Sequence, residues 1–282
     1  MTRQKLNAEE AAAELLGGLD VVAVRPVLQA LHVLTRDGQL NADAHRKLKQ
    51  VKHFVGLLAP ALVDLPEDAL IVDCGAGKGY LGFMLEATLK QQGKKANIIG
   101  LETRPDLVDT ANKLAIEHKS GVRLVENTIA DFVPHVKPHL VIALHACDTA
   151  TDDALALALK YDAPFIAVVP CCQAEVAEML RPLRNASPMG ELFAHPIHRR
   201  EFGSHLTNVI RSLVLESHGY KVTATELVGF EHSFKNELIL GERHQRSNAA
   251  AKKKLDALLQ SLPVKPKILR VAGVSRAGDP GE

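Results

Sequence analysis

The feature that most narrows the fold is an apolar run that breaks into alternating glycines. Residues 69–79 read Ala-Leu-Ile-Val-Asp-Cys-Gly-Ala-Gly-Lys-Gly, and a stretch with helical spacing follows from Tyr80. A run apolar at nearly every position suits a strand covered on both faces. The glycines let the backbone bend sharply and let a ligand come close to it. The helix that opens after them presents N–H groups and the positive end of its dipole. A strand, glycine turn and helix in this order belong to a parallel α/β sheet.

The pattern repeats downstream. Apolar runs at Asn97–Glu102, Val122–Glu126, Leu140–His145 and Pro164–Pro170 alternate with helical spacing over Tyr80–Gln92, Pro105–His118 and Asp152–Leu159. This predicts a Rossmann-like, doubly wound, mostly parallel sheet. A helix at about 203–218 and an antiparallel pair, Lys221–Val228 with Glu237–Arg243, extend it. Upstream, Leu48, Val51, Phe54, Val55 and Leu58 recur at helical steps and predict a helix over 42–58 behind an Asn41 cap. We therefore expect a helical N-terminal segment over 1–64, an α/β domain over 65–243 and a basic extension over 244–282. In that extension, Lys252–Leu262 reads as an amphipathic helix with Leu255, Leu258, Leu259 and Leu262 on one side. Residues 263–282, rich in Pro, Gly and Lys, are expected to be partly mobile.

Composition removes several classes. Among 282 residues, 34 Lys+Arg balance 33 Asp+Glu, which excludes a strongly basic protein that wraps nucleic acid. The balance is uneven: residues 65–241 hold 17 basic and 22 acidic residues, whereas 242–282 hold 9 and 4. With no Trp, three Tyr and eight Phe, a site built mainly of stacked aromatics is not expected. The four cysteines, two of them adjacent, do not form a secreted disulfide framework. The first residues lack a signal-peptide profile and no run is long enough to span a bilayer, so a cytoplasmic location is expected.

What would the glycine turn hold? A phosphate-binding P-loop needs Gly-x-x-x-x-Gly-Lys-Ser/Thr, and Lys78 is followed instead by Gly79. A dinucleotide is a closer fit: Gly77-Lys78-Gly79-Tyr80-Leu81-Gly82 is literally G-x-G-x-x-G, and Glu102 lies 20 residues beyond Gly82. However, the strand ends near Asp73, so the turn begins at Gly75. An acid beside exposed amides suits a ligand carrying both an ammonium and a carboxylate, as S-adenosylmethionine does. Glu102 ends the second strand, where a carboxylate can accept from both ribose hydroxyls. Asp131, within Ala130-Asp131-Phe132, follows the third strand, where it or its neighbouring amides can meet an adenine edge. The expected cofactor residues are Asp73, Gly75, Ala76, Gly77, Gly79, Tyr80, Leu81, Glu102, Thr103, Arg104, Ala130, Asp131 and His145. A dinucleotide and a plain strand-to-helix turn remain open beside S-adenosylmethionine.

Two further motifs carry a resemblance. They are Leu144-His145-Ala146-Cys147-Asp148-Thr149-Ala150-Thr151-Asp152 and Pro170-Cys171-Cys172. Residues 71–172 resemble class I S-adenosylmethionine-dependent methyltransferases. More narrowly, they resemble the methyltransferase domain of glutathione S-transferase C-terminal-domain-containing proteins, whose pattern Asn236 also matches. They are similar as well to acceptor-stem tRNA 2′-O-methyltransferases, which carry Lys-His-Leu-Cys-Gly-x-Ala-Thr-Asp and a later Cys-Cys. This chain departs from the latter with Leu144 for Lys and Asp148 for Gly. The resemblance implies direct methyl transfer with RNA, tRNA or rRNA, as acceptor. A protein or small-molecule acceptor, or a non-catalytic module binding S-adenosylmethionine or NAD, is the alternative. The implied topology brings the ends of strands four and five together. There His145 and Asp148 are expected to face the acceptor and take its proton. Pro170, Cys171, Cys172, Arg199, Arg200 and Asn236 are expected to contact substrate. No metal is expected, because adjacent Cys171 and Cys172 diverge on an extended strand. The competing reading makes Thr149-x-x-Asp152 a helix capping box and the cysteines packing residues.

Overall fold

A computed structural model describes residues 21–30, 42–144, 146, 148–170, 173–185, 189–227 and 237–274. The described residues fall into two units: those up to 128 together with 227, and 129–226 together with 237–274. Seven strands form one mostly parallel sheet of order β3-β2-β1-β4-β5-β7-β6.

In the first unit, helices α1 (Val21–Ala30), α2 (Ala42–Leu57) and α3 (Ala59–Val63) precede β1 (Ala69–Cys74). Val51, Phe54 and Leu58 are buried, on the face that the sequence spacing predicts. Every residue of β1 is buried, which is why it reads as an unbroken apolar run. Helix α4 (Tyr80–Gln91), β2 (Ala96–Glu102), α5 (Pro105–Glu117) and β3 (Val122–Glu126) follow. β1 pairs parallel with β2, placing Asp73 opposite Gly100, and β2 pairs parallel with β3.

Gly100 positions the site. A Cβ there would lie 2.8 Å from the Ala76 Cβ and 3.0 Å from the Leu124 side chain. Its bare backbone thus lets the turn after β1 settle onto β2. Gly100→Val is expected to lower stability by about 1–3 kcal/mol, the usual cost of overpacking, read as a lower urea midpoint.

The second unit carries β4 (Leu140–Leu144), α6 (Ala150–Lys160), β5 (Phe165–Val169), α7 (Glu175–Leu180), a short 3-10 turn (Arg181–Asn185), α8 (Gly190–Ala194) and α9 (Pro196–Ser217). Strands β6 (Tyr220–Glu226) and β7 (Glu237–Arg243) and helices α10 (Ala249–Ser261) and α11 (Lys267–Val271) complete it. β4 and β5 are parallel, while β7 runs antiparallel to both β5 and β6.

Two sequence expectations change here. Helix α9 begins at Pro196, well before 203, because proline fits the first helical turn, where its missing N–H costs nothing. Thr149 adopts helical angles and caps α6 with no side-chain hydrogen bond, so the capping box does not form. Within the tail expected to be partly mobile, residues 267–271 are helical with Ile268 and Leu269 buried, and 275–282 lie outside the described residues. As expected, Leu255 and Leu259 of α10 are buried, and Lys252, Lys253 and Lys254 face outward. Among the described residues no helix is long and apolar enough to cross a membrane.

Candidate active site

The first unit builds a cradle from the ends of two neighbouring strands. The N–H groups of Gly75 and Ala76 both donate to the Leu101 carbonyl at 2.9 Å, so the turn starts at Gly75 and is stitched to β2. Gly75, Gly77 and Gly79 have φ of 75°, 58° and 78°. These are left-handed values that strain most side chains. A Cβ on Gly77 would meet nothing nearer than an Arg104 nitrogen at 4.0 Å, so this position is glycine for its backbone angle rather than for want of room. Gly79 ends the turn and precedes α4, which no side chain caps.

Asp73 lies beneath this turn, 2% exposed, and its Oδ2 has no hydrogen-bond partner. Burial pushes its carboxyl up to about 7. A buried carboxylate left so costly marks a site built for a ligand's donor.

Glu102, at the end of β2, is the opposite case. It accepts from the Gly77 N–H (2.9 Å), the Thr103 N–H (3.0 Å) and the Arg104 N–H (3.1 Å). The Arg104 guanidinium adds a two-pronged contact at 3.0 and 3.1 Å. The Arg104 hydrogen bond is the main cause holding this carboxyl below its usual range. With its lone pairs taken, Glu102 can receive a ribose diol only if the exposed Arg104 side chain swings away. Arg104→Ala is therefore expected to tighten S-adenosylhomocysteine binding a few-fold by calorimetry. Weaker binding would show that Arg104 itself contacts the ligand. Of the remaining residues expected in this unit, Tyr80 is half-buried and Thr103 exposed, while Leu81 packs into the core.

Residues 46–179 match the family model described as a methyltransferase domain. The match spans a little under half of the chain and makes this stretch similar to a methyltransferase domain. The cradle fits S-adenosylmethionine: Asp73 would supply an unmatched buried acceptor for an ammonium, and the glycine turn leaves backbone open to a close approach.

Comparison with curated proteins gives no match. Solved structures with a similar fold include an rRNA methylase from Streptococcus thermophilus at 11% identity and TM-score 0.44, covering 68% of this chain and 96% of that one. A precorrin-6y C5,15-methyltransferase from Geobacter metallireducens matches at 15% identity and TM-score 0.40, over 67% and 88%. Geranyl diphosphate C-methyltransferase from Streptomyces coelicolor, solved with S-adenosyl-L-homocysteine, matches at 14% identity and TM-score 0.45, over 72% and 78%. Similarity at this level says nothing about a methyl acceptor.

The remaining expected residues fall in the second unit. Ala130 and Asp131 lie exposed in the turn after β3. Asp148 follows β4 with φ 51°, a left-handed value, and its carboxylate accepts the Ala174 N–H at 3.3 Å. Glycine adopts this angle freely and aspartate tolerates it. Aspartate and glycine can therefore both stand at this position. Pro170 is buried at the end of β5. Arg199 donates to the Phe193 carbonyl at 2.7 Å, and Arg200 lies 3.5 Å from the Glu201 carboxylate. His145, Cys147, Cys171, Cys172 and Asn236 lie outside the described residues.

Sequence reasoning missed a buried polar group at this edge. Arg211, 1% exposed, donates to Asp152 Oδ1 at 2.7 Å, Asn208 Oδ1 at 3.2 Å and the Asp148 carbonyl at 2.9 Å. Asp152, read from sequence as a capping residue, is instead fully buried as its ion partner. The available signal was Asn208 and Arg211, spaced i and i+3, interrupting the apolar stripe Leu206, Ile210 and Val214 on α9. From there Arg199 is about 18 Å distant along the helix at 1.5 Å per residue.

Proposed function

We propose that this protein is an S-adenosylmethionine-dependent methyltransferase that acts on RNA, either tRNA or rRNA. In this reading Asp73, the glycine turn from Gly75 to Gly79, Glu102 and Asp131 hold the cofactor, within a catalytic domain spanning 65–243. When bound, S-adenosylmethionine supplies an electrophilic sulfonium methyl. The chain's own part is to align an acceptor and to remove its proton, roles we assign to His145 and Asp148. Pro170, Cys171, Cys172 and Asn236 border the acceptor, and Arg199 and Arg200 contact it further out.

The observation that carries the cofactor site is the buried, unpartnered Asp73 oxygen under an open glycine turn. The RNA reading is supported by the resemblance of the His145–Asp152 segment to acceptor-stem tRNA 2′-O-methyltransferases, while residues 71–172 and Asn236 resemble more narrowly the methyltransferase domain of glutathione S-transferase C-terminal-domain-containing proteins. The left-handed backbone at Asp148 fits the glycine of the tRNA enzymes. Lys252, Lys253, Lys254, Lys265 and Arg270 are exposed and could meet phosphates. A protein or small-molecule acceptor is favoured by one feature, the carboxylates of Asp148, Glu175 and Glu237 in the second unit, which suit an amine better than a phosphate.

Transfer of labelled methyl from S-adenosylmethionine to fractionated RNA, protein and small molecules tests the choice. RNA labelling whose binding weakens steeply with added salt is expected. Label confined to protein or metabolites would overturn the RNA acceptor.

A further inference from the structure

At the carboxyl end of β4 and β5, the chain leaves three segments to be held in register: the loop at Asp148, the segment at Gln173 and the start of β7 at Glu237. One polar chain from α9 ties all three. Arg211 binds the Asp148 carbonyl and, through Nη1, Asn208 Oδ1. The same Asn208 oxygen accepts from Gln173 Nε2 at 2.9 Å, and Gln173 Oε1 accepts from Ser204 Oγ at 2.6 Å. Asn208 Nδ2 then donates to Glu237 Oε2 at 2.8 Å.

The direction of this chain is fixed from both ends. A guanidinium only donates and an ionised carboxylate only accepts. Asn208 must therefore turn its oxygen to Arg211 and its NH₂ to Glu237. Arg211, Asn208 and Gln173 are buried, whereas Glu237 is 31% exposed, so the order built inside is delivered to a carboxylate at the surface. Asp148, in its left-handed conformation, is held twice: by Arg211 on its carbonyl and by the Ala174 N–H on its carboxylate.

We propose that Arg211 and Asn208 are positioning residues for methyl transfer, orienting the Glu237 carboxylate and the Asp148 loop toward the acceptor. The proposal rests on the methyltransferase reading but not on RNA as the acceptor. A packing role alone would require only that the hydrogen bonds be satisfied. A positioning role requires in addition that residue 237 be an oriented carboxylate.

Reversing the hydrogen bond separates the two. Asn208→Asp keeps the Arg211 contact but faces Glu237 with a second carboxylate. It is expected to lower the thermal midpoint and to cut kcat by about 100-fold, the scale of a misplaced group, with S-adenosylhomocysteine affinity unchanged. The double variant Asn208→Asp with Glu237→Gln restores the bond in the opposite sense. Its midpoint is expected to return to the wild-type value while kcat stays low. Rates are taken as variant-to-wild-type ratios of label transferred from S-adenosylmethionine into whichever extract fraction the wild type methylates. Label outside RNA then overturns the acceptor assignment without touching this test. Wild-type kcat in Asn208→Asp, or recovery of kcat together with the midpoint in the double variant, would reject the positioning role.

Discussion

Asp73→Asn is expected to make the cofactor-free protein more stable while abolishing its cofactor binding. The wild-type carboxyl is buried, lacks a partner at Oδ2 and has its pKa raised from 3.8 to about 7. The folded state therefore holds a proton that the unfolded chain gives up at lower pH. Stability is greatest below the unfolded value and falls as pH rises toward 7, beyond which the cost is constant. Asparagine removes that cost, which amounts to about 4 kcal/mol at pH 8 on the scale of 1.36 kcal/mol per pH unit. Urea unfolding of both proteins between pH 4 and 8 reads the effect: the curves should meet at the acid end and separate on the way up. S-adenosylhomocysteine titration of the variant should give no measurable heat. Equal stability at pH 8, or intact binding, would remove Asp73 from the site.

The second large effect concerns Arg211. Arg211→Met is expected to cost about 3–5 kcal/mol, because it strands a buried carboxylate. Burial already pushes the Asp152 carboxyl upward, outweighing the opposing pull of Arg211. The loss should therefore shrink on acidification, as Asp152 takes up a proton and no longer needs a cation. Adding Asp152→Leu should recover most of the stability at neutral pH, since replacing both ions by apolar groups is often nearly neutral. A double variant as unstable as the single one would show that the contacts of Arg211 with Asn208 and Asp148 matter more than the ion pair.

What could be read from the sequence follows from where the forces are local. β1 is legible because a strand buried on both faces leaves no polar alternation to obscure it. The glycine turn is legible because its left-handed angles limit which side chains can stand there. Gly100 was not, although it matters as much, because its constraint comes from Ala76 and Leu124, distant in sequence. Pro196 reads as a breaker unless its position at the start of α9 is known. The Asp152–Arg211 pair spans 59 residues, and Thr149-x-x-Asp152 looks locally like a cap, so a tertiary ion pair took the place of the local motif. At Glu102 the residue type points to a diol, but only the structure shows Arg104 already occupying it.

The most direct test of the cofactor assignment is calorimetric titration of the wild-type protein with S-adenosylhomocysteine and, separately, with NADH. Saturable one-to-one binding of S-adenosylhomocysteine and no heat from NADH is the predicted result. Binding of NADH, or of neither compound, would contradict it.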